Sequence, residues 1–394
     1  MEVLTLRVLL VADVSAETVH GGAERMLFHH VRALRQEGVQ FTILTRQPES
    51  GAPCVVTLDS GVLEYRLPFN GDRGWRGLRQ LQKEAAKWWH EHRQEFDVVV
   101  SEQPFVMWAL LIAGCRLPRL HVCHSFAYEE YVTRHGLEWD VKHRLITWGM
   151  RQLEQRVYGS AKRLLVLSQH MQQKLTDAFG IDESRIAIAP GGMENPEGYD
   201  LSKREQLREQ LGWHGPVIVT LRNLVPRTGV DLMVQAAAIL KVDRPELRWC
   251  VMGSGTLLEP LKDLSHWLQC EDIIEFTGFL PEEEVHQRLL AADVFMLPTR
   301  SLEGFGLVTV EANAFGLPVV ATPVGANIEV VPSLPGNVLA DEATPESLAN
   351  ALCALLDQQK PETRQGLHEA ALSRYAWAHH DRAFLEALHQ VAGH

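Results

Sequence analysis

Several features are scarce in this chain of 394 residues, and each scarcity closes off a class of function. The six cysteines, at 54, 115, 123, 250, 270 and 353, form no C-x-x-C pair and no cluster with metal-ligand spacing. They read as reduced, mostly buried thiols of a cytosolic compartment, not as a disulfide framework or a metal centre. Positive charge is in deficit. With 38 Lys and Arg against 50 Asp and Glu the net charge is −12, which is the wrong sign for a nucleic-acid binder. No uncharged apolar run reaches the roughly 18 residues that a membrane span needs; the nearest, 105–115, is too short. The N-terminal MEVLTLRVLLVAD lacks the h-region and cleavage site of a secretory signal, and its alternation fits a first β-strand. Localisation is therefore expected to be cytoplasmic. There is no short-period repeat, no low-complexity tract and no G-x-x-x-x-G-K-[ST] loop, which excludes a P-loop nucleotide site.

What is present is an ordinary globular composition, 46% hydrophobic and 22% charged, in a chain longer than the roughly 250–300 residues at which single cores stop growing. Two domains are expected. Strands at 7–12, 39–45, 97–100, 120–123, 164–167 and 186–189 alternate with helical patterns, among them 23–34, 105–115 and 169–179. The cluster PGGMENPEG, from Pro190, reads as an interdomain linker. Beyond it the alternation resumes, with strands at 217–221, 247–253 and 273–278 and helices between them. Strand–helix alternation predicts parallel sheets with helices on both faces, twice over. The fold class is α/β, two doubly wound Rossmann-like domains, 1–193 and 194–375, with a terminal helix over 376–394. GSGTLL, residues 253–258, imitates a dinucleotide fingerprint but lacks its third glycine and its acidic partner, so an NAD enzyme fits poorly.

The most informative stretch is 294–331, VFMLPTRSLEGFGLVTVEANAFGLPVVATPVGANIEVV. An apolar strand ends at Pro298, a loop follows, and a short helix over 307–315 starts just after Gly304, Phe305 and Gly306. Free backbone N–H groups at such a helix start suit an anion, a phosphate above all. Glu303 precedes that start and Glu311 lies about one turn inside it. Carboxylates beside a phosphate site make sense where they accept hydrogen bonds from neutral hydroxyls, as on a sugar or a ribose.

Glu303 and Glu311, set in LEGFGLVTVEANAFGLPVVAT, resemble the E-x7-E motif of retaining, sugar-nucleotide-dependent glycosyltransferases of the GT-B fold, family four. The resemblance implies two domains facing across a cleft, the first taking the acceptor, with the terminal helix crossing back to it. It implies that Glu311 binds the nucleotide ribose, that Glu303 contacts the transferred sugar, and that Gly304, Phe305, Gly306 and Leu307 hold the diphosphate. It also brings the glycine-rich turn Gly21-Gly22 to face the donor, places Phe279 beside the base, and puts His124 near the sugar being transferred. Phe279 is equally compatible with a core position. A lone histidine after a strand is also a common structural type, and His121 competes with His124.

The D-x-D metal device of the other major glycosyltransferase fold is absent. No metal and no cofactor is expected, only a nucleoside diphosphate sugar as co-substrate. The diphosphate charge must then be met by the helix terminus and by Arg222 or Arg227 in LRNLVPRTGVD, each one residue earlier than the family pattern puts its basic residue. The implied reaction moves a hexosyl unit to a small-molecule, glycan or lipid-linked acceptor hydroxyl with retention. A non-catalytic sugar-nucleotide-binding subunit and a sugar-nucleotide epimerase of the same fold are the alternatives. Two basic, tryptophan-bearing helical stretches, 73–93 and 139–158, suit peripheral contact with an anionic inner membrane face, or else solvated faces with tryptophans in the core.

Overall fold

A computed structural model describes residues 6–15, 21–47, 52–58, 61–69, 74–135, 140–358 and 362–393. They divide into two compact units, one of Met1–Val132, Leu137–Pro190 and Ala378–His394, the other of Thr133–Gly136 and Gly191–Trp377. The passage between Pro190 and Gly191 lies inside the Pro/Gly cluster of the sequence.

The first unit is built on strands β1 (Arg7–Val11), β2 (Gln40–Arg46), β3 (Val55–Thr57), β4 (Leu63–Leu67), β5 (Val98–Ser101), β6 (Arg119–Cys123), β7 (Arg163–Val166) and β8 (Ile186–Ile188). They form one sheet in the order β3-β4-β2-β1-β5-β6-β7-β8, with every pair parallel except β3 with β4. Helices α1 (Gly22–Gln36), α2 (Trp75–His92), α3 (Pro104–Ile112), α4 (Ala127–His135), α5 (Val141–Ser160) and α6 (Gln169–Phe179) accompany it. Because successive strand residues point to opposite faces, β1 feeds two cores. Val8 and Leu10 pack with Leu27, Val31 and Leu34 of α1. Leu9 and Val11 pack with Leu81 of α2 and Val106 and Leu110 of α3. A strand buried on both faces reads as an unbroken apolar run, which is why these strands are visible in sequence.

One feature departs from the sequence reading. No element is expected between β2 and α2, yet β3 and β4 lie there; β4 buries Glu64 and Arg66, and their charge hides the strand. The basic helix expected over 73–93 is α2, with Arg73 outside the described residues. Its Trp88 and Trp89 are buried against the first core, Trp88 stacked near Phe96, so this helix turns those tryptophans away from solvent. The second such helix is α5; Trp139 lies outside the described residues.

The second unit has strands β9 (Val217–Leu221), β10 (Arg248–Met252), β11 (Ile274–Gly278), β12 (Val294–Leu297), β13 (Val319–Ala321) and β14 (Val338–Leu339). All neighbours are parallel, in the order β11-β10-β9-β12-β13-β14. Helices α7 (Arg204–Leu211), α8 (Val230–Leu240), α9 (Leu258–Trp267), α10 (Glu282–Ala291), α11 (Leu307–Ala314), α12 (Asn327–Val330), α13 (Pro345–Gln358) and α14 (Glu362–Arg374) connect and flank them. The last helix, α15 (Trp377–Ala392), adds Phe384, Leu388 and Val391 to the core of the first unit beside Val8 and Leu10.

The parallel strand order reverses between β1 and β5 in the first unit and between β9 and β12 in the second. Beyond the carboxyl ends of such strands the connections diverge and leave a crevice, the usual ligand position in doubly wound sheets. Among the described residues no helix is long and apolar enough to cross a membrane.

Candidate active site

In the second unit the residues after β9 and β12 meet at the switch point. Glu303 Oε2 accepts hydrogen bonds from Arg222 Nη2 at 2.9 Å and from Thr299 Oγ1 at 2.9 Å, and the two partners are 3.2 Å apart. The Arg222 and Glu303 side chains are only 8% and 10% exposed, so this is a largely desolvated ion pair. The loop that carries it is held by backbone. The Glu303 carbonyl accepts from Ala326 N at 2.9 Å, and a Cβ on Gly325 would lie 2.3 Å from that same oxygen. The Arg227 carbonyl accepts from Arg300 N at 2.9 Å, tying the loop after β9 to the loop after β12.

Gly306 precedes α11 at φ 84°, in the left-handed region where a side chain is strained, and no side chain caps the helix. The first N–H groups of α11 are thus free of a capping side chain, and the positive end of the helix dipole is open to an anion. Two buried side-chain oxygens nearby, Thr309 Oγ1 and Asn327 Oδ1, lack a hydrogen-bond partner; a Cβ on Gly306 would meet them at 3.2 and 3.5 Å. Buried polar atoms are normally hydrogen-bonded, so these two oxygens have bonding capacity left for a ligand or a water.

Arg227 is half-buried. Its Nη1 is 3.5 Å from the Leu302 carbonyl, and it has no carboxylate partner among the described residues. The neighbouring Arg300 is paired with Asp231. Glu311 sits in the second turn of α11. Phe279 is 78% exposed just past edge strand β11, which removes the core alternative for it.

In the first unit His124 follows β6, and Glu102 follows β5 at the switch point. Glu102 is buried, with Oε2 2.8 Å from His124 Nε2 and Oε1 2.6 Å from His30 Nδ1. Burial works to raise its pKa, but the two histidines outweigh burial and hold it below the usual carboxylate range. Its neighbour Gln103 accepts from Asp13 N at 2.7 Å, and Asp13 accepts from Phe105 N and Val106 N at 3.0 and 2.8 Å, joining the ends of β1 and β5. His121 is fully buried in β6 with Nδ1 2.8 Å from Ser101 Oγ, and burial pulls its pKa down to about 3. That makes His121 a neutral structural residue and leaves His124 as the candidate. Gly21 has an extended backbone open to any residue, and a Cβ there would meet Glu24 Oε2 at 3.1 Å. Its backbone does not require glycine.

Of the residues singled out in sequence, the fold brings Arg222 and Glu303 into direct contact, with Gly304, Phe305, Gly306 and Leu307 following in the same turn. The Phe305 side chain is buried, edge-on to Tyr375, so only its backbone is left for a ligand. Sequence reasoning missed Thr299, Thr309 and Asn327, and it gave Glu102 and His30 no role. A buried-strand end carrying an acid, VVVSE, was the available signal for Glu102. Among the described residues no group of three or more His, Cys, Asp or Glu is placed to hold a metal ion.

Residues 203–374 match the family model described as Glycosyl transferases group 1, and residues 20–194 match that described as Glycosyltransferase Family 4. The mannosylfructose-phosphate synthase of Agrobacterium fabrum is 25% identical over 389 residues, which cover 91% of this chain and 84% of that protein. The structure of sucrose-phosphate synthase from Thermosynechococcus elongatus superimposes with a TM-score of 0.80 at 19% identity, covering 98% of this chain and 99% of that one. HepE of Anabaena, solved in complex with UDP, gives 0.75 at 18% identity, covering 98% and 100%.

Proposed function

This chain belongs to the family 4 glycosyltransferases and has the GT-B fold, and from that premise we propose that it transfers a sugar from a nucleoside diphosphate sugar to an acceptor hydroxyl, with retention and without a metal. The observation that carries the reading is the uncapped start of α11 beside the Arg222–Glu303 pair at the switch point of the second unit. The diphosphate lies on the N–H groups at Gly306 and Leu307, and Arg227 supplies the cation. Arg222, already matched by a carboxylate, holds Glu303 toward the sugar, and Glu311 accepts from the ribose hydroxyls. In the transfer the anomeric carbon–phosphate oxygen bond breaks, the bond to the acceptor oxygen forms on the same face, and the acceptor proton passes to the departing diphosphate. His124, at the carboxyl end of β6, accepts from a hydroxyl of a bound sugar.

The acceptor is proposed to be presented at an anionic lipid surface. Val141, Leu145 and Trp148 recur at helical spacing on α5 with 72%, 60% and 65% exposure, and Lys142, Arg144 and Arg151 are exposed on the same helix. The deciding experiment is a thermal-shift screen of UDP-, GDP- and ADP-sugars, UDP-sugars first because HepE was solved with UDP. A donor at about 100 times its Kd stabilises by roughly 2.7 kcal/mol. The product anomer is then read by NMR, with EDTA present. An inverted product refutes retention, and activity lost in EDTA and restored by Mn²⁺ refutes metal independence. No stabilisation by any of the three nucleotides refutes the donor site.

A further inference from the structure

Glu102 belongs to a buried chain of four side chains that runs from His124 to the carbonyls where the first unit ends. His380 Nδ1 lies 3.1 Å from both the Ala189 and the Pro190 carbonyl oxygens. Carbonyls only accept, so Nδ1 carries a proton, and burial, which pulls the pKa of His380 down to about 3, keeps the ring neutral. Its Nε2 is therefore a lone pair. It faces His30 Nε2 at 2.8 Å, and His30 must donate there. The other nitrogen of His30 makes the 2.6 Å contact with Glu102 Oε1, on which a second proton lies. Phe384 stacks on the His30 ring at 4.1 Å between centroids and fixes its plane.

The remaining Glu102 oxygen is 2.8 Å from His124 Nε2. An ionised carboxylate accepts only, so His124 donates from Nε2. Its Nδ1 is buried and has no hydrogen-bond partner, although the side chain as a whole is 12% exposed. We propose that Glu102 is a positioning residue: held by His30, which His380 holds in turn, it fixes His124 as the Nε2–H tautomer and keeps the Nδ1 lone pair available to a sugar hydroxyl. The inference rests on the reading of His124 as the sugar contact. The same logic orients ligating and catalytic histidines elsewhere, where the group on the second ring nitrogen decides which nitrogen is bare.

The amide variant separates charge from geometry. In Glu102→Gln the amide oxygen accepts from His124 Nε2–H, and the amide nitrogen donates to a neutral His30 at Nδ1. The opposite orientation would leave His30 Nε2 and His380 Nε2 facing each other as two lone pairs, so the tautomer of His124 is preserved. Glu102→Ala removes the acceptor and the preference with it. The test is long-range ¹H–¹⁵N NMR on the full chain labelled at histidine, with His124 assigned through His124→Gln, alongside steady-state kinetics. Wild type and Glu102→Gln should both show His124 protonated at Nε2 and bare at Nδ1. Glu102→Ala should show a mixture, with kcat lowered about 10- to 100-fold and donor KM little changed, and Glu102→Gln should recover most of that kcat. A wild-type signal protonated at Nδ1 overturns the proposal whatever the variants do. So does a Glu102→Ala spectrum identical to wild type. The sugar-contact reading fails separately, if His124→Ala leaves kcat unchanged.

Discussion

Replacing Glu303 by glutamine removes one charge from a pair that is about nine-tenths buried, and its consequences follow from the geometry. Breaking a buried ion pair by neutralising one partner costs roughly 3–5 kcal/mol, because the other charge is left without compensation. The substituted amide would keep the contact with Thr299 Oγ1, 2.9 Å away in the native protein, so the low end of that range, about 3 kcal/mol, applies. The unit that holds the pair runs essentially from Gly191 to Trp377, a size at which 1 kcal/mol moves Tm by roughly 2–4 °C. Glu303→Gln should therefore lower the transition of this unit by roughly 6–12 °C. Calorimetry is the assay, since a two-unit chain can unfold in more than one step. Two further readings isolate the cause. The unmatched Arg222 should make the variant respond more strongly than wild type to added nucleoside diphosphate. The double variant Arg222→Met/Glu303→Gln should be more stable than the two single losses added together. Strictly additive losses would refute the coupling, and with it the idea that Arg222 serves Glu303 and not the diphosphate. In turnover, Glu303→Gln should lower kcat more than it raises donor KM, because charge at the anomeric carbon develops only in the transition state.

Other outcomes follow from the same geometry. Glu311→Gln should raise donor KM about 10- to 150-fold with kcat nearly constant, since a charge-assisted bond to the ribose diol worth roughly 1.5–3 kcal/mol is made equally in ground and transition states; an unchanged KM refutes the ribose assignment. Trp148→Ser should abolish low-salt co-sedimentation with anionic vesicles, whereas a wild type that never sediments rules out the lipid-surface acceptor. On the acid side, the pKa of His121 is pulled down to about 3 in the fold and is near 6.5 when unfolded, so the unfolded state binds more protons between those values and stability falls as pH drops below 6.5. At pH 5 this amounts to about 2 kcal/mol, and chemical denaturation of His121→Gln should show a loss of stability between pH 7 and pH 5 that is smaller by about that amount.

The sequence alone determined what depends on neighbours along the chain. Parallel strands such as β1, β9 and β12 are buried on both faces, so each is an apolar run that little else imitates. The E-x7-E motif was legible for the same reason, because Glu303, Gly306 and Glu311 fall within one loop and the helix it opens. Where burial took in charge, as at Glu64 and Arg66 of β4, the pattern was masked. Tryptophans 88 and 89 of α2 could face core or solvent until the packing of α2 against β4 and Phe96 decided it. What only the tertiary structure decided is which distant groups meet. Arg222 reaches Glu303 across 81 positions because β9 and β12 are neighbours at a strand-order reversal. His30 meets Glu102 72 positions on and His380 350 positions on because α15 returns to the core shared by β1 and α1. Helix and strand periodicity acts over a few residues, whereas these contacts are set by the order in which strands enter a sheet and by the elements that cover it.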